Sequence, residues 1–229
     1  MPRGAKRANS FDMIAEIEVA ELGGALTMRA NGAVDTAAGL AEMHLDLSSM
    51  FESLGGVAEI AGDDFFGDGV MTMIAAPGAI YVRMPMLTEQ LPGSPEWISM
   101  SGDNGLLAAN EMSFGLGNPT DLLGGLHGID SVEEIGPDQV RGVPATRFRV
   151  TVDASEIADL ADVSFNGDFP IDVWVDDTGL VRRIEGSFGI DGVNGAVAME
   201  FYDFGVDPGI EVPPGGDVLE LDLGALMGF

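Results

Sequence analysis

The feature that most constrains this chain is an alternation of apolar and polar residues with a period of two. Successive side chains of a strand point to opposite faces, so such a run reads as a half-buried β-strand. Phe11, Met13, Ala15, Ile17 and Val19 fall on one face of the first run, and Asp12, Glu16 and Glu18 on the other. Ile14 is the exception, an apolar residue on the polar side. Leu26, Met28, Ala30 and Val34 then oppose Thr27, Arg29 and Asn31, and Met43, Leu45 and Leu47 oppose His44 and Asp46. Gly23-Gly24 accepts the positive φ of a hairpin turn between the first two runs. These three segments predict an antiparallel meander.

Turn chemistry marks further hairpins. Ala76-Pro77-Gly78 separates Val70–Ala75 from Ala79–Met84, and Pro followed by Gly favours a type II turn. Asp176-Asp177-Thr178-Gly179 separates Pro170–Asp176 from Leu180–Phe188. Asp191–Gly195 leads into a last clear strand, Ala196–Phe204. Between these runs, Leu87–Ser101 reads as a loop with Trp97 as an anchor. Short helices are expected within 106–112 and 154–161, and residues 50–61 read as either a short helix or an irregular strand. Another is expected from Asn118, a good N-cap before Pro119, with Leu122, Leu123 and Leu126 as its apolar stripe. Helices grouped within a strand series, rather than placed between every pair of strands, argue for an antiparallel sheet. The expected fold is α+β and mainly antiparallel. A curved, unclosed-barrel sheet of about nine to eleven strands has short helices on its concave face. The expected organisation is a disordered segment 1–10, a single domain 11–215 and a tail 216–229, the tail being an edge strand or a mobile end.

Charge narrows the function. Lys and Arg number 10 against 38 Asp and Glu, a formal net charge of −28 over 229 residues. Such a surface repels nucleic-acid phosphates and anionic membranes, so no nucleic-acid partner is expected. A 46% hydrophobic content sets the chain apart from disordered acidic tails. With no cysteine, thiol catalysis, disulfides and thiolate metal sites are excluded. No stretch approaches the length of a transmembrane helix. Met1–Ser10 looks like the basic start of an export signal, but Asp12, Glu16 and Glu18 interrupt at once where an apolar part should follow, so it does not read as a signal peptide.

Catalytic signatures are sparse. The two histidines, His44 and His127, lack a second ligand at metal-binding spacing and read as surface residues. There is no Gly-x-Ser-x-Gly elbow, and the sole lysine, Lys6, belongs to no phosphate loop. Asp63, Asp64 and Asp68, and Asp172 with Asp176 and Asp177, do not match a calcium loop. No enzyme activity, metal or cofactor is expected.

Several pieces, in order, resemble LolA-like lipoproteins, in particular the LppX/LprG branch of actinobacterial lipoproteins. They are Gly32–Asp35, Ile80–Pro85, Trp97-Ile98, Asn118–Leu123, Val140–Val150 and Pro170–Arg183, and the resemblance runs from about residue 11 to 205. It implies a sheet curled around short helices, with a hydrophobic cavity between them. It also implies a carrier of lipid or lipoprotein outside the cytoplasmic membrane. The chain departs from the family in lacking the lipid-anchoring cysteine and in having no clear helix before the first strand.

Thirteen methionines, many at inward strand positions, suit a surface that adapts to varied apolar shapes. The expected ligand lining combines central strands with the helix stripe. It comprises Met73, Ile80, Val82, Met84, Leu122, Leu126, Phe148, Val150, Met199 and Phe201. Trp97 and Trp174 read as packing anchors, and Trp174 shares strand parity with Asp172 and Asp176. The expected partner is a lipid or acyl chain bound by a monomer in a periplasm-like space or at the cell surface. Contacts with a membrane or an envelope protein would be transient. The competing reading is an envelope sensor on the same scaffold, its cavity filled by side chains and its acidic surface binding a basic protein.

Overall fold

A computed structural model describes residues 8–19, 24–49, 69–88, 91, 93–101, 129–152, 169–190 and 193–222. Twelve strands form one sheet. They are β1 (Ala8–Val19), β2 (Gly24–Asp35), β3 (Leu40–Asp46), β4 (Val70–Ala76), β5 (Ala79–Arg83), β6 (Trp97–Ser101), β7 (Ile129–Val140), β8 (Val143–Val152), β9 (Phe169–Asp176), β10 (Val181–Ile190), β11 (Val193–Tyr202) and β12 (Val218–Asp222). Their order is β12-β6-β5-β4-β3-β2-β1-β11-β10-β9-β8-β7, so β12 and β7 are the two edges and the sheet is not closed into a barrel. Among the pairs whose register is described, all are antiparallel apart from the parallel β12 and β6. A single turn of helix, α1 (Pro85–Thr88), follows β5. The helices expected within 106–112, 118–126 and 154–161, and the helix or irregular strand expected within 50–61, lie outside the described residues.

The structure departs from the sequence reading at β6 and at the start of β1, and it gives the tail one of its two expected forms. The segment around Trp97 is strand β6, not loop, and it pairs with β5 on one side and β12 on the other. Its five residues alternate in period two, but Pro92, Gly93 and Pro95 just before them carry the stronger loop signal. The tail supplies the edge strand β12, in register from Val218 against Trp97 to Asp222 against Ser101. Strand β1 reaches back to Ala8, three residues into the segment expected to be disordered. Together β6 and β12 raise the strand number above the expected range.

The turns follow their residues. Gly78 has φ +83° in the β4–β5 connection, as a type II turn requires. Arg141 and Gly142 both have positive φ (49° and 78°) between β7 and β8, the mark of a two-residue type I′ hairpin. Arg141 is a costly residue there. Its side chain is held by ion pairs to Asp12 and Glu200 and by a stack on the Tyr202 ring at 4.0 Å.

The packing divides the chain into two compact units. Among the described residues, the first contains β3–β6, β12 and β2 from Ala30. Its buried apolar residues include Val34, Ala41, Ile74, Ala75, Ile80 and Ile98. The second contains β7–β11, β1 from Phe11 and β2 up to Arg29. Phe11, Ala15, Val150, Ile171, Val173, Met199 and Phe201 are buried within it.

Candidate ligand-binding site

Strand register determines which side chains share a face. In the first unit Met43 lies opposite Met73, Met73 opposite Val82, and Val82 opposite Ile98. One rung along, Ala41 pairs with Ala75, Ala75 with Ile80, and Ile80 with Met100. These rows form an apolar face without a charged member. The alternate positions carry Glu42, His44, Thr72, Tyr81 and Arg83, with the buried Ile74 between Glu42 and Tyr81. His44 shares a hydrogen bond with Thr72 (3.1 Å) and lies 3.6 Å from Glu42.

The second unit repeats the division. Phe148 pairs with Val173, Val173 with Ile184, and Ile184 with Met199. Val150 pairs with Ile171 beside them. On the opposite face Arg147 pairs with Trp174, Trp174 with Arg183, and Arg183 with Glu200. Trp174 is therefore on the charged face, as its parity with Asp172 and Asp176 indicates, yet it is only 5% exposed. The guanidinium carbons of Arg147 and Arg183 lie 5.0 and 5.3 Å from its ring centroid. Its indole N–H donates to Asp138 at 2.8 Å. The Nε atoms of both arginines are buried without a hydrogen-bond acceptor, a deficit that the electron-rich indole face offsets.

Carboxylates complete this lattice. Asp172 accepts two hydrogen bonds from Arg149 at 2.9 Å each and another from Arg147. The Arg149 bonds, joined by those of Arg147, outweigh burial and hold the Asp172 carboxyl below the usual carboxylate range. Burial raises Asp176, but hydrogen bonds from Thr178, Leu180 and Arg182 more than reverse this and leave it lowered. Arg183 bridges Glu185 and Glu200.

The ten expected lining residues separate by burial. Ile80, Val150, Met199 and Phe201 are buried in the cores of their units. Met73, Val82, Met84 and Phe148 are half-buried and keep surface that a ligand can touch. Leu122 and Leu126 lie outside the described residues. Met73 and Val82 are direct cross-strand neighbours in the first unit, and Phe148 and Val150 share a face in the second. Sequence reasoning missed Ile98 and Met100, which continue the apolar rows, because β6 reads as loop. Val132, opposite Val150 on edge strand β7, stays 59% exposed. No helix among the described residues is long and apolar enough to cross a membrane.

No family model matches the chain, and no curated protein matches it in sequence. Solved structures do match. The lipoprotein LppX of Mycobacterium tuberculosis aligns over 89% of this chain and 89% of its own, with a TM-score of 0.51 and 14% identity. The chain has the LppX fold. LprF of Mycobacterium bovis aligns over 92% of this chain and 90% of its own, with a TM-score of 0.48 and 12% identity. The likeness to LppX lies in the fold, at 14% identity.

Proposed function

We propose that this protein binds a lipid, acyl chain or other hydrophobic ligand on its apolar strand faces and carries it outside the cytoplasmic membrane, without catalysing a reaction. The observation behind this reading is the pair of uncharged apolar rows in the first unit, where Met73, Val82 and Met84 are only half-buried, together with the apolar run from half-buried Phe148 through Val173 and Ile184 to Met199 in the second, which Glu134 bounds on the β7 side. Methionine gives such a surface adaptable shape at little polar cost. Burying each CH₂ contributes roughly 0.8 kcal/mol, so about ten methylenes supply a gross ~8 kcal/mol before ordering costs. The LppX fold supports the extracytoplasmic part of the reading, since the matched protein is a lipoprotein.

Native mass spectrometry of the purified protein, followed by lipid extraction, tests it. The expected result is co-purifying hydrophobic mass, or saturable uptake of a fluorescent fatty acid by stripped protein. Met73→Glu and Phe148→Glu should each weaken uptake about tenfold or more, because the ligand would then bury an unpaired carboxylate. Protein that arrives empty and takes up no acyl probe would overturn the proposal.

A further inference from the structure

The charged face of the second unit has a hollow that the apolar-face reading does not use. It is an open cleft of ≈ 460 Å³. Its floor follows from the β10–β11 register. Arg183 opposite Glu200 fills one rung with long side chains. The next two rungs, Glu185 opposite Ala198 and Ser187 opposite Ala196, leave three of four positions small. Side chains stand roughly perpendicular to a sheet, so small residues between taller neighbours leave a trough. β1 lines one side with Ile14 and Glu16, and β8 and β9 line the other with Arg149 and Asp172.

The lining chemistry selects the occupant. Arg149 is the one cation of the lining, and both its bonds run to Asp172. Glu185 gives one oxygen to Arg183. Glu16 has no ion-pair partner among the described residues. The charge left for a ligand is therefore negative. Beside it stands Ile14, 45% exposed on a strand face it shares with Asp12 and Glu16. An apolar side chain held in water next to an unpaired carboxylate fits a ligand that carries both features.

We propose that this cleft is a binding site for a small organic cation, an ammonium or guanidinium group on an apolar stem. The stem lies over Ala196 and Ala198 against Ile14, and the cation meets Glu16 and the free oxygen of Glu185. Its size falls within the range of small-molecule sites.

Calorimetric titration with hexylamine tests this, with hexanol and hexanoate as controls bearing the same stem. Hexylammonium should bind at least about tenfold more tightly than either control, a difference of roughly 1.4 kcal/mol. Its amide shifts should centre on Ser187 and Ala196–Ala198. The double variant Glu16→Gln/Glu185→Gln, which keeps the floor intact, should lose that preference. Ala198→Leu should block binding by filling the trough. Fatty-acid uptake should be unchanged in the double variant, which separates this site from the apolar faces. Equal binding of hexanol, no binding of hexylamine at millimolar concentration, or an unchanged double variant would each overturn the proposal.

Discussion

The two units give similar apolar faces very different polar ones. On β3–β5 the polar face has His44 beside Thr72 and Glu42, and an exposed ion pair, Arg83 to Glu96 at 2.9 Å. The polar face of β7–β11 and the turns beside it hold Arg141, Arg147, Arg149, Arg182 and Arg183, half of the ten cations in the sequence. In a chain of net charge −28 this placement is not even. The arginines gather where carboxylates face each other across neighbouring strands and where Trp174 offers a ring between two of them. Cations can hold one strand face together only if they are concentrated there. The first unit depends instead on apolar packing.

The largest expected test of this contrast is Trp174→Ala. It removes a buried ring, two cation–π contacts and the partner of Asp138, and should cost the second unit about 3–5 kcal/mol. Thermal unfolding followed by hydrogen exchange on β8–β10 would measure it. A loss spread equally over β3–β5 would break the comparison.

Acid should act next. Asp172 and Asp176 have lowered folded-state pKa values, so their contribution is present above the ordinary carboxylate value of about 3.9. It is lost as pH falls through the lower folded values. Stability of β8–β10 should thus decline below about pH 4, and Asp176→Asn should reduce that decline. Denaturant titrations across this range would check the sign.

Ile80→Val, in the buried apolar row of the first unit, should cost about 0.5–1.5 kcal/mol without altering this acid response. The smallest expected effect is Arg83→Ala. Its exposed pair with Glu96 is worth at most about 1 kcal/mol and should weaken further in salt. Chemical denaturation at low and high salt would measure both.

Much of the sheet was legible in the residues. Alternation placed Phe11 and Ala15 inward and exposed Arg29 and Asn31, and the Pro77-Gly78 turn needs the positive φ that glycine supplies. Strand β6 was not legible, because its five-residue alternation follows prolines whose loop signal dominates locally. Parity alone put Met73 with Val82 and Phe148 with Val150, but it missed Ile98 and Met100. Parity separates faces, but it cannot say that Ile80 is sealed while Met73 keeps open surface.

By itself, then, the sequence determined the strand type, the turns, and which residues of each strand stand together, including Trp174 beside Asp172 and Asp176. These are properties of a period-two backbone and need only local geometry. Tertiary structure decided the strand order, the parallel seat of β12 against β6 and the Arg147–Trp174–Arg183 stack. It also decided that Ile14, an irregularity in the pattern, lines a cleft with Ala198. Each depends on which distant strands become neighbours, a choice made by long-range pairing that no local pattern encodes.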